Sequence, residues 1–125
     1  MKKRKNRKIL VAESDPIILE LVEFLLKKNK YGVCMANTGH EVLKAALREK
    51  PDLILMDVVT PKLDGIAITE RLKEDRTTHH IPIILFSCLG QEMKVMRGLQ
   101  AGAKWYLVKP FSPSRLMEQI KRELE

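Results

Sequence analysis

Cysteine is scarce in this sequence. Only Cys34 and Cys88 occur among 125 residues. Two thiols so far apart make neither a disulfide framework nor a zinc site. Both stand in apolar runs, where buried thiols in a reducing cytoplasm are expected. Long hydrophobic runs are missing too. Nothing approaches the roughly 18 residues of a membrane span. The run after the first eight residues, Ile9 to Ala12, is four residues long, against about 7–15 for a secretory signal. Internal repeats and sustained heptads are absent, which removes the coiled coil. A hydrophobic content of 45% removes the disordered chain. One domain is expected, able to bury roughly two thirds of its unfolded surface.

Acids are missing from one place. Residues 1–8 read MKKRKNRK, with six basic groups and no acid. The other 17 basic residues face all 16 acids, so the net charge of +7 belongs mostly to this tail. The expected division is a flexible basic tail over 1–8 and a domain over 9–125. A nucleic-acid-binding domain carries its basicity on the folded surface, so nucleic acid is not the expected partner. The tail reads as a solvated arm. A polyanion-binding arm would reveal itself by a steep salt dependence, lost on deleting residues 1–8.

Short apolar runs alternate with amphipathic stretches. Ile9–Ala12, Tyr31–Met35, Leu53–Met56, Ile83–Phe86 and Tyr106–Val108 read as strands, and their unbroken apolar character predicts burial on both faces. Between them Ile17, Leu21 and Leu25 step by four, as do Leu116, Ile120 and Leu124, while Met93, Met96 and Leu99 step by three, which is the pattern of amphipathic helices. Asp15-Pro16 and Ser112-Pro113 are helix starts, and Thr38 with Glu41 is a capping box. Five strand–helix units predict an α/β doubly wound, flavodoxin-like (βα)5 sandwich with a parallel sheet in order 2-1-3-4-5. Its site belongs past the carboxyl ends of the strands, at the switch between the first and third.

Those ends carry chemistry. Glu13-Ser14-Asp15 follows the first strand, Asp57 the third, Ser87 the fourth and Lys109-Pro110 the fifth. Acids on two neighbouring strands make a hard-oxygen site suited to Mg²⁺. A lysine and a hydroxyl opposite them complete a phosphoryl-binding layout. Asp-Val-Val-Thr over 57–60 falls short of a phosphatase D-x-D-x-T motif, because Val59 stands where the second acid is needed.

The segments ILVAESDP (9–16), DLILMDVVTPKLDG (52–65), IPIILFS (81–87) and AGAKWYLVKPF (101–111) resemble the response-regulator receiver domain of two-component signalling, in its chemotaxis-regulator-like form. The resemblance runs from about Ile9 to Leu124. It implies that Asp57 accepts a phosphoryl group from a sensor histidine kinase or phosphotransfer protein. Ser87 and Lys109 would contact that group, and Tyr106 would be the aromatic switch residue. Mg²⁺ would be held by Glu13, Asp57 and the backbone carbonyl of Val59. The bond before Pro110 would be cis. The domain would assist its own phosphorylation and dephosphorylation without being an enzyme.

One position departs from the family pattern. Two adjacent acids usually follow the first strand, and here Ser14 puts a neutral hydroxyl in place of the second. That makes Ser14 a doubtful ligand and weakens the expected metal site. Asp15 could compensate, but it has a competing task as helix cap. Two readings follow. In the first, a single-domain response regulator switches the face made by its fourth helix, fifth strand and fifth helix to control a partner protein. In the second, a pseudo-receiver binds its partner without phosphorylation. Trp105, Tyr106 and Met96 are the expected partner surface in both, with Met93 and Met117 as possible extensions. Apolar Val59 and Leu89, each two residues beyond a site residue, predict slow self-dephosphorylation. His79-His80 reads as an exposed loop pair.

Overall fold

The computed structural model describes residues 6–125. Residues 1–5 of the basic tail lie outside them. The chain runs β1 (Lys8–Ala12), α1 (Pro16–Lys28), β2 (Gly32–Met35), α2 (Gly39–Glu49), β3 (Leu53–Asp57), β4 (Val59–Thr60), β5 (Leu63–Asp64), α3 (Gly65–Glu74), β6 (Ile83–Ser87), α4 (Glu92–Ala101), β7 (Trp105–Val108) and α5 (Pro113–Leu124). The main sheet is parallel in order β2-β1-β3-β6-β7. With the small antiparallel hairpin β4–β5 set aside, this is the expected order 2-1-3-4-5. The hairpin is too short and too polar for periodicity to reveal.

Side chains alternate across a strand, so each inner strand feeds two cores. Leu10, Ile54, Met56, Ile83 and Leu85 pack with Val42 and Ala46 of α2 and with Ile68 and Leu72 of α3. Ile9, Val11, Leu53, Leu55, Ile84 and Phe86 pack with Val22 and Leu26 of α1 and with Leu116 and Ile120 of α5. Each fully buried Leu or Ile contributes about 1.5–3 kcal/mol. That is why the three inner strands are apolar at nearly every position.

Two-sided burial stops at the sheet edges. β2 is half-buried and ends on exposed Met35, while β7 exposes Trp105 and Val108. Two helices bury only part of their apolar residues, and the exposure of Met96 agrees with its expected place on the partner surface. α1 buries Val22 and Leu26 and leaves Ile17, Leu21 and Phe24 exposed. α4 buries Val95 and Gly98, and Met93 and Met96 face outward. In both helices apolar residues occupy more of the circumference than the core accepts, so a step of three or four alone did not select the inner face. The α5 stripe is buried as expected. Cys34 is half-buried and Cys88 exposed. Cys88 lies one residue beyond the end of β6, outside the apolar environment its neighbours implied.

The helix starts are where the sequence puts them. Asp15 Oδ1 accepts the Ile17 N–H at 2.9 Å, Thr38 Oγ1 the Glu41 N–H at 3.2 Å and Ser112 Oγ the Arg115 N–H at 3.1 Å. Each such cap is worth about 1 kcal/mol. Arg7 and Lys8 are tied to the sheet. The Arg7 carbonyl accepts from Gly32 N–H at 2.7 Å, and Lys8 Nζ donates to Glu49 Oε1 at 2.9 Å.

Candidate functional site

Parallel strands bring their carboxyl ends to one rim. The register Ala12↔Met56 sets Glu13, the next residue, beside Asp57. Asp57 pairs with Phe86, and Ser87 with Val108, so Ser87 and Lys109 complete the row. Glu13, Asp57 and Ser87 are buried at 2% exposure each. Acids so placed are costly unless paired and hydrogen-bonded, and here both are. Lys109 Nζ donates to Asp57 Oδ1 at 2.8 Å and to both Glu13 oxygens at 3.0 Å. Asp57 Oδ2 accepts the Ser14 N–H at 3.0 Å and the Ser14 hydroxyl at 3.3 Å. Glu13 Oε2 also accepts the Asp15 N–H at 2.9 Å.

The electrostatics follow. Burial pushes the Glu13 carboxyl above its ordinary value, against the lowering effect of the Asp15 N–H and Lys109. Burial alone would push the Lys109 ammonium down. The hydrogen bonds it donates to Asp57 and Glu13 outweigh that and hold it above its ordinary value. The carboxylates thus keep Lys109 charged.

The loop after Asp57 is shaped by Gly65. A Cβ there would lie 2.3 Å from the Asp57 carbonyl oxygen and 2.8 Å from that of Val58. Only glycine lets α3 start so close to the end of β3, and its N–H donates to the Val58 carbonyl at 2.9 Å. Asp64 caps α3 through the Ile66 and Ala67 N–H groups. The D-G pair at 64–65 was visible in the sequence, but its tie to Asp57 was not. A second support was missed altogether. Lys109 Nζ lies 6.0 Å from the centre of the Phe86 ring, which stacks on Phe111 at 5.1 Å. The Lys109–Pro110 bond is cis, and the Lys109 N–H donates to the Ser87 carbonyl at 2.7 Å.

The structure therefore brings Glu13, Ser14, Asp57 and Lys109 into one bonded cluster, with Ser87 beside it. Asp15 spends its side chain on the helix cap. Val59, two residues past Asp57, is half-buried in β4. Tyr106 and Trp105 are not members of that bonded cluster, and their rings lie 5.2 Å apart. They line a cleft of about 480 Å³ together with Ser87, Val95 and Met96. Trp105 and Met96 are exposed and Tyr106 is half-buried. Met117 lies in the core instead.

Residues 9–121 match the response regulator receiver domain. The chain belongs to that family. As a receiver it is 39% identical over 116 residues to the alkaline phosphatase synthesis transcriptional regulatory protein PhoP of Bacillus subtilis, covering 93% of this chain and 48% of that protein. The chain spans about half the length of the curated relatives it matches. Among solved structures it resembles a putative response regulator from Chloroflexus aurantiacus, with a TM-score of 0.90, 31% identity and coverage of 96% and 98% of the two chains. It also resembles the receiver domain of the sensor histidine kinase PA1611 from Pseudomonas aeruginosa, with a TM-score of 0.86, 29% identity and coverage of 96% and 98%. That structure is described with a magnesium ion coordinated in its active-site cleft.

The donor set of this receiver fits such an ion. Mg²⁺ takes hard oxygens and is commonly bound by one or two carboxylates, with water and phosphate completing the octahedron. Glu13 and Asp57 are two such carboxylates on neighbouring strands, already gathered around a cation, the Lys109 ammonium. Among the described residues no group of three His, Cys, Asp or Glu side chains could hold a metal, so backbone carbonyl, phosphate or water would supply the remaining ligands. No helix among the described residues is long and apolar enough to cross a membrane.

Proposed function

We propose that this receiver is a phosphorylation switch with Asp57 as phosphoacceptor. The observation that carries the reading is the buried Asp57 carboxylate, fixed between Lys109 and Ser14 at the end of β3. A carboxylate held rigidly at a rim, with a cation against it, is prepared for in-line attack on a phosphorus atom. An Asp57 oxygen forms the new P–O bond, and the P–N bond of a phosphohistidine donor breaks, leaving the imidazole with the donor. A bound Mg²⁺ would neutralise phosphoryl charge during transfer. Glu13, Asp57 and the Val59 carbonyl would hold it.

A sensor histidine kinase or phosphotransfer protein, in the cytoplasm, is the donor in this reading. Lys109 then pairs with the phosphoryl group, and the Ser87 hydroxyl moves to contact it. The cleft between Ser87 and Tyr106 gives the aromatic ring room to repack. The output is the face of α4, β7 and α5, where Trp105 and Met96 are exposed. The chain assists its own phosphorylation and dephosphorylation but is a signalling switch and not an enzyme. Ser14 favours a second reading, a pseudo-receiver that uses the same face without phosphorylation.

Acetyl phosphate with MgCl₂, followed by intact mass, tests this. The expected result is a gain of one phosphoryl group that Asp57→Asn abolishes. No gain at saturating MgCl₂ shifts the reading to the pseudo-receiver.

A further inference from the structure

The space between the two site carboxylates already holds a cation. Lys109 Nζ lies 3.0 Å from Glu13 and 2.8 Å from Asp57, and its side chain is only 13% exposed. Counted formally, two carboxylates against one ammonium give the cluster a single negative charge. Ser14 keeps it there. Its N–H and hydroxyl donate to Asp57 Oδ2, where an acidic side chain at position 14 would add a second negative charge. A phosphoryl group carries roughly −1.5 to −2. On Asp57 it would raise the cluster to about the charge that an acid at position 14 would have supplied beforehand, and it would add oxygen ligands of the kind Mg²⁺ prefers.

We propose that Ser14 makes metal uptake conditional on the phosphoryl group. The unmodified site is balanced by Lys109 and binds Mg²⁺ weakly. The phosphoryl group supplies the charge and the oxygens that make metal binding tight. This rests on the phosphoacceptor reading and adds to it a coupling between metal and phosphoryl group. Binding linkage is reciprocal, so Mg²⁺ strengthens binding of a phosphoryl mimic by the same factor. Ser14 acts here as a positioning residue, through Asp57 and through the charge it omits.

The test is calorimetric titration of MgCl₂ into the full chain, with and without beryllium fluoride as phosphoryl mimic. It compares wild type, Ser14→Asp and Ser14→Asn, which has the shape of the acid without its charge. Wild type is expected to gain at least tenfold in Mg²⁺ affinity, about 1.4 kcal/mol, when beryllium fluoride is present. Ser14→Asp should bind Mg²⁺ alone at least tenfold more tightly than wild type and gain less from the mimic. Ser14→Asn should track wild type. Equal Mg²⁺ affinity in wild type and Ser14→Asp, or a gain in Ser14→Asn matching that of Ser14→Asp, overturns the proposal. If Ser14→Asp does not fold, wild type decides, because tight Mg²⁺ binding without beryllium fluoride refutes it. Failure of wild type to bind beryllium fluoride at saturating MgCl₂ overturns the phosphoacceptor reading itself.

Discussion

Replacing Lys109 by Met leaves two carboxylates facing each other in a buried site. Glu13 has a side-chain exposure of 0% and Asp57 of 3%. Asp57 keeps the Ser14 donors and Glu13 keeps the Asp15 N–H, but neither keeps a counter-charge. Breaking a buried pair by removing one partner costs about 3–5 kcal/mol. The lower end applies here, because a carboxyl can take up a proton instead of staying charged. For a domain of this length about 3 kcal/mol corresponds to a fall in Tm of roughly 10 °C. The pH dependence carries the sharper test. Burial already holds Glu13 above the unfolded carboxyl value in the wild type, and losing the ammonium raises it further. A group whose folded value is raised favours the folded state when protonated and costs stability as pH rises through that value. The loss in Lys109→Met should therefore be largest near pH 8 and shrink toward pH 5. Adding Glu13→Gln to Lys109→Met removes one of the two charges and should restore part of the loss. Thermal melts of wild type, single and double variants from about pH 5 to 8 measure all of this. A Lys109→Met protein melting within 2 °C of wild type at pH 8, or a loss independent of pH, would refute the reasoning.

Gly65→Ala should lower stability by at least about 2 kcal/mol, because its Cβ meets backbone carbonyls that cannot give way cheaply. A urea titration of that variant checks it, and a change under about 0.5 kcal/mol would mean that α3 shifts freely. Cys88 is exposed, whereas Cys34 is half-buried and burial pushes its thiol up. One thiol should thus react promptly with an aromatic disulfide reagent in the native protein, and Cys88→Ser should remove that phase. The phosphorylated receiver should lose its phosphoryl group slowly, since apolar Val59 and Leu89 offer no hydrogen bond to an attacking water. A half-life of seconds in the purified protein, followed by intact mass, would contradict this.

The order of the sheet and the rim residues were legible because both follow from one-dimensional signals. Three strands buried on both faces must be apolar throughout, and Asp57 directly after LILM is conspicuous for the same reason that burying it is costly. The caps at Asp15, Thr38 and Ser112 were legible because a cap bonds an N–H only two or three residues away. Contacts between residues far apart in the chain were not. Ile17, Leu21 and Met93 satisfy a helical step yet face outward, because the facing surface of the sheet decides which stripe is buried. Cys88 looked buried beside LFS and is not, because β6 ends at Ser87.

The same division runs through the site. Sequence determined that Glu13, Asp57, Ser87 and Lys109 stand at or just past the carboxyl ends of their strands, and that position 14 lacks an acid. Tertiary structure decided which atoms meet. It placed Lys109 between both carboxylates, turned the Ser14 donors onto Asp57 Oδ2, and set Phe86 and Phe111 near the lysine. Periodicity and capping act within a few residues and can be read along the chain. The hydrogen bonds and ion pairs of the site join groups separated by 43, 52 and 96 residues, and they exist only once the strands are in register.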